Sequence, residues 1–128
     1  IVFRKVEFTD TWDCDPGESV EWSMGNIRLS ITHSPGHAPG HVTIHGHGVY
    51  HAGDLLFVRS AGRVDLPGGD AESQQKSLIR AKEILSSLPE DWRLIPGHRY
   101  DNFRGEVPDW IGVGDALQHN YFLANITV

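Results

Sequence analysis

The chain has 128 residues, 17 acidic and 11 basic side chains, a net charge of −6 and 39% hydrophobic residues, which is ordinary usage for one globular domain. No apolar run approaches the roughly 20 residues needed to cross a bilayer, and the acidic balance argues against general affinity for nucleic acid or a membrane surface. A single cysteine, Cys14, excludes an internal disulfide and four-thiolate zinc sites, so a metal here must be held by imidazole and carboxylate, and the eight histidines are the unusual feature.

In chain order, Val2, Val6 and Phe8 alternate weakly and suggest a strand or extended entry segment. The opening residues carry no initiator methionine, basic region or apolar leader, so the expectation is a C-terminal piece of one larger domain, with the cytoplasm as its expected compartment. Val20 and Trp22 lead to a Met24-Gly25-Asn26 turn, and Ile27, Leu29 and Ile31 alternate with polar residues, which predicts a hairpin. Ser34 to His41 holds two prolines and two glycines, too many to continue a strand or open a helix. Val42 and Ile44, a tight turn at 45–48, and Val49 to Ala52 predict a second hairpin that ends at Gly53-Asp54.

After Leu55 to Val58 comes a Gly/Pro-rich loop at 60–69, and Asp70 is placed to cap a helix over 71–87 with a stripe of Leu78, Ile79, Ile84, Leu85 and Leu88. Trp92, Leu94 and Ile95 form a short strand that stops at Pro96-Gly97-His98, followed by loop and a weakly amphipathic stretch over 115–123.

His37, Asp54 and His98 share one context: each follows a strand and sits beside glycine where the chain turns away from the sheet. Two neutral imidazoles and a carboxylate suit zinc, iron or manganese, since nitrogen donors fit borderline metals and a carboxylate can bridge two ions. From spacing alone, a hydrogen-bonded turn histidine and a capping aspartate stay open as the plainer readings.

Ser34-Pro35-Gly36-His37-Ala38-Pro39-Gly40-His41, Ala52-Gly53-Asp54-Leu55-Leu56-Phe57 and Ile95-Pro96-Gly97-His98 resemble, in order and spacing, the third, fourth and fifth motifs of the metallo-β-lactamase superfamily. Ala61-Gly62-Arg63, the acidic Gly-rich loop, His98-Arg99-Tyr100 and Asn120-Tyr121-Phe122-Leu123 are similar to the glyoxalase II and persulfide dioxygenase branch. The resemblance covers about residues 27 to 123. It implies an α/β fold, half of a four-layer αββα sandwich with a mostly antiparallel, mixed sheet and one long outer helix. It makes His37 a terminal ligand of a first metal, Asp54 the bridging carboxylate and His98 a ligand of a second, with Arg63 and Tyr100 as substrate contacts. The implied cofactor is one or two zinc ions, or iron or manganese, and the implied partner is a small thioester, glutathione-linked in the glyoxalase II group. Metal-activated hydroxide would attack the carbonyl; the other branch instead implies one ferrous ion and oxygen chemistry.

The sequence departs from this pattern in two places. The leading His-x-His-x-Asp-His motif, which supplies the other ligands and the water-orienting aspartate, is absent from these 128 residues. The run His45 to His51 does not replace it, having Val49 in the aspartate's place and its last histidine one residue late. Ser60-Ala61 stands where both branches commonly carry Gly-Cys. The expectation is therefore an incomplete site with no catalytic residue of its own, inactive when isolated, and a half-domain whose open apolar sheet edge can associate with itself. A non-catalytic half-domain or truncated product is the third reading. His41 and His51 are expected to be supporting or strand residues, and Cys14, His33 and His119 carry no assigned role.

Overall fold

The computed structural model describes residues 5, 7–100 and 108–127. Strands β1 (Ser19–Met24), β2 (Ile27–His33), β3 (Val42–Gly46), β4 (Val49–Gly53), β5 (Arg93–Pro96) and β6 (Ile111–Gly112) form one sheet in sequence order. Helix α1 (Ala71–Ser87) lies between β4 and β5, and the short helices α2 (Val113–His119) and α3 (Tyr121–Ala124) follow β6. Every pairing is antiparallel except β4 with β5, where α1 forms the crossover that a parallel pair requires.

Local chemistry sets the elements. Asp70 caps α1 by accepting the Ser73 N–H at 3.0 Å, and the helix ends at Leu88, one residue before Pro89 blocks another turn. Tyr50 is directly opposite both His45 and Leu94, so these three side chains share one face of the sheet. On that face Tyr50, Ala52 and Leu94 meet Leu78, Ala81, Ile84 and Leu85 of α1, with Val113, Ala116 and Leu123 closing the far side. Ile44 and Ile95 point to the opposite face, where they stay half-buried while His51 is exposed. Strand β1 forms one edge of the sheet; its exposed residues are Ser19, Glu21, Ser23 and Met24, with Val20 and Trp22 half-buried.

Three expectations change. The second hairpin's turn is His47-Gly48 alone, and His45 and Gly46 belong to β3. The backbone explains it: His47 and Gly48 have φ of 50° and 83°, the paired positive values of a two-residue hairpin turn. Of the entry segment, residues 1–4 and 6 lie outside the described residues, and Phe8 is 74% exposed outside any strand. The amphipathic stretch over 115–123 is two helices broken at Asn120, whose side chain starts α3 by accepting the Phe122 and Leu123 N–H groups.

Candidate metal centre

Strand direction brings the three predicted donors together. β3 is antiparallel to both β2 and β4, and β5 is parallel to β4, so β2, β4 and β5 all end at the same edge of the sheet. His37, Asp54 and His98 follow those three ends.

Each loop is then fixed from behind. The 34–41 loop is held by α1: Ser77 Oγ donates to the Pro35 carbonyl at 2.6 Å and the Asp70 N–H to the Gly36 carbonyl at 2.8 Å. Gly36 has φ of 143°, and a Cβ there would lie 2.4 Å from the Gln74 backbone, so only glycine lets loop and helix approach this closely. His33 spans the base of the loop, with its two ring nitrogens 3.0 Å from the Cys14 carbonyl and 2.9 Å from the Pro39 carbonyl. Asp54 is set by His41, whose Nε2 accepts the Asp54 N–H at 2.9 Å. Burial holds the His41 imidazole below its ordinary pKa against the opposing pull of the Asp54 carboxylate. His98 is brought close by the parallel ladder, extended by the Gly97 N–H donating to the Gly53 carbonyl at 2.7 Å.

The donor atoms form two pairs that share one carboxylate. His37 Nε2 is 3.2 Å from Asp54 Oδ2, and His98 Nε2 is 3.1 Å from Asp54 Oδ1. Among the described residues no three His, Cys, Asp or Glu side chains converge on one point; the arrangement is two histidine–carboxylate pairs that meet at Asp54. Two donors each about 2.1 Å from a tetrahedral ion stand about 3.4 Å apart, and both observed separations are near that value. A Cβ at residue 97 would stand 2.5 Å from Asp54 Oδ1, so glycine there leaves the space beside that oxygen free. Donor chemistry and geometry thus fit metal binding by two imidazoles and a bridging carboxylate.

His37 Nδ1 lies 2.7 Å from the Arg63 carbonyl. A carbonyl only accepts, so Nδ1 donates to it, and this bond turns the Nε2 edge of the ring toward Asp54. Arg63 and Tyr100 join the three donors, with Phe57, Ser60 and Ala61, around a cavity of about 490 Å³. All five site residues expected from the sequence therefore line one pocket. The Arg63 guanidinium makes two parallel hydrogen bonds to Asp65, at 2.7 and 2.8 Å, and this pairing holds the Asp65 carboxyl down to about 2. His45 and His47 sit at the opposite end of β4, where His45 stacks on Tyr50 and His47 Nε2 accepts the Arg28 N–H at 3.1 Å.

Sequence reasoning expected His41 to be a supporting or strand residue and missed the work of His33, Gln74 and Asn120. Of these only Asn120 carried a signal, as the first residue of the Asn120-Tyr121-Phe122-Leu123 run.

The family model of the metallo-beta-lactamase superfamily matches residues 9–98. The chain is 41% identical over 75 residues to the hydroxyacylglutathione hydrolase of Tolumonas auensis, covering 59% of this chain and 27% of that protein. The crystal structure of ETHE1 from Myxococcus xanthus aligns at a TM-score of 0.66 and 26% identity, covering 89% of this chain and 46% of that one. The di-iron-bound form of TTHA1623 aligns at a TM-score of 0.57 and 37% identity, covering 74% and 42%. The chain spans less than half the length of the curated relatives it matches.

Proposed function

The chain belongs to the metallo-beta-lactamase superfamily, and from that membership we propose that it is the metal-binding part of a thioester hydrolase acting on a small, glutathione-linked substrate. The observation that carries the reading is the Asp54 carboxylate, which offers one oxygen to each of two imidazoles. In this reading Asp54 bridges two ions, His37 is a ligand of the first and His98 of the second. Zinc is the expected ion, and iron or manganese suits the same donors. The name of the Tolumonas auensis relative supports a glutathione thioester, and the di-iron form of TTHA1623 supports two ions. Two donors per half-site are fewer than the four that zinc takes. We therefore place the missing ligands on a His-x-His-x-Asp-His segment, a motif these 128 residues lack.

A bound metal supplies two things, lowering the pKa of water from 15.7 toward about 7 and polarising the thioester carbonyl. The side chains of the pocket do the rest. The Arg63 carbonyl orients the ring of His37, and Asp54 lies between the two imidazoles. Phe57 and Tyr100 pack edge to face and give one side of the cavity an aromatic wall. At the rim the Arg63 guanidinium, paired with exposed Asp65, can exchange that carboxylate for an anionic group of the substrate. A thiolate leaves without a dedicated general acid, which agrees with the lack of one among the pocket residues.

Thiol release from S-lactoylglutathione, followed with zinc, iron or manganese and with the His-x-His-x-Asp-His segment added in trans, tests this reading. Metal-dependent release that is weak for the 128 residues alone and rises with the segment is expected. Full activity of the chain alone would overturn the shared-site reading. One iron per chain, with oxygen uptake from a persulfide and no thiol release, would replace the hydrolase by a dioxygenase.

A further inference from the structure

Asn120 is only 1% exposed and is not among the residues that line the cavity, yet its amide is fully used. Its Oδ1 accepts the Phe122 and Leu123 N–H groups at 3.0 and 3.3 Å, while its Nδ2 donates to the Phe57 carbonyl at 2.9 Å and the Ser60 carbonyl at 3.0 Å. The Phe57 N–H closes the same turn on the Ser60 carbonyl at 2.9 Å. The turn displays one ring: Phe57, 6% exposed, stands edge-on to His98 at 5.8 Å and to Tyr100 at 4.8 Å, and His98 and Tyr100 stack at 5.7 Å. The His37 half-site is supported separately, by the Arg63 carbonyl and by Gln74 Nε2, which donates to the Gly62 carbonyl at 3.2 Å. The Leu56–Ala61 bridge stands between the two supports, with the 57–60 turn inside it and Gly62-Arg63 outside.

From this separation we propose that Asn120 is a positioning residue for His98 alone, acting through the 57–60 turn and the Phe57 ring. It thereby sets whether the second half-site is filled while the first is left untouched. The inference rests on the reading of His98 and Asp54 as a metal half-site.

Two variants test it. Asn120→Asp keeps the oxygen that starts α3 and loses both donors to the turn; Phe57→Leu keeps the turn's backbone bonds and removes the ring, so it carries the test if the first variant does not fold. The metal-free protein is read by the imidazole resonances in an NMR spectrum: those of His98 shift in both variants, through the changed ring current, and those of His37 do not. In a zinc titration the second equivalent weakens by about 10- to 100-fold, the range for losing a group that orients a ligand, while the first holds its affinity. Unmoved His98 resonances in a folded variant, or equal weakening of both equivalents, would overturn the proposal. A wild-type protein that binds no zinc, with His98 resonances still displaced in the variants, would overturn the metal reading and support the positioning role.

Discussion

Replacing Asp54 by alanine is expected to remove metal uptake at both half-sites, lowering zinc affinity by more than the roughly 100-fold that marks the loss of a merely orienting group. The reason is geometric, since each oxygen of this one carboxylate faces a different imidazole. Asp54→Asn should behave differently, because the amide retains one oxygen and can serve one half-site at most. Both variants should fold. The side chain is partly exposed, outside the hydrophobic core, and the bond that sets its loop comes from the Asp54 backbone N–H to His41, which either substitution leaves in place. Isothermal titration of both variants with zinc, together with their thermal midpoints, checks the expectation. Equal affinity in wild type and Asp54→Ala would remove Asp54 from the site.

The second large effect is expected at Gly62, where stability and metal binding fall together. A Cβ at this position would lie 1.9 Å from the Asp54 carbonyl oxygen and 3.1 Å from His37 Nδ1. Two backbone segments must separate to admit it, and overpacking of this kind costs about 1–3 kcal/mol. Separation stretches the bonds at 62 and 63 that hold the His37 imidazole, namely Gln74 to the Gly62 carbonyl and His37 to the Arg63 carbonyl. Gly40 is the matched control. A Cβ there meets nothing within 4 Å and its φ is not positive, so Gly40→Ala should stay within about 0.5 kcal/mol of wild type. Denaturant midpoints and zinc titrations of the two alanine variants make the comparison. A Gly62→Ala protein as stable and as metal-competent as Gly40→Ala would contradict the packing argument.

The parts of this fold that local chemistry decides were legible in the sequence. Asp70 ahead of an apolar stripe and Pro89 after it bracketed α1, and Gly25-Asn26 between two alternating runs marked the first hairpin. The donors were legible for a related reason: His37, Asp54 and His98 sit beside glycines where strands end, and the resemblance to known motifs gave them an order. What stayed hidden depends on register between distant segments. The two-residue β6 is too short to show an alternation. Leu55 to Val58 are all buried without forming a strand, and nothing near them in sequence reveals that Asn120, more than 60 residues on from Phe57, holds their turn. His41 and His33 could be seen as histidines, but their partners could not, since those are a backbone N–H and two carbonyls brought near by tertiary packing. The cluster at 45–51 drew attention by composition, whereas the ladder and the turn place His45 and His47 at the far end of β4 from Asp54.

The central claim is that Asp54 joins two metal half-sites, one with His37 and one with His98. Anomalous scattering at the zinc edge, from crystals of the protein grown in excess zinc, tests it most directly. The expected map holds two peaks, each about 2.0–2.2 Å from one Asp54 oxygen and from Nε2 of one histidine. A map with no peak beside Asp54, or with zinc only at the His45 and His47 turn, would contradict the account.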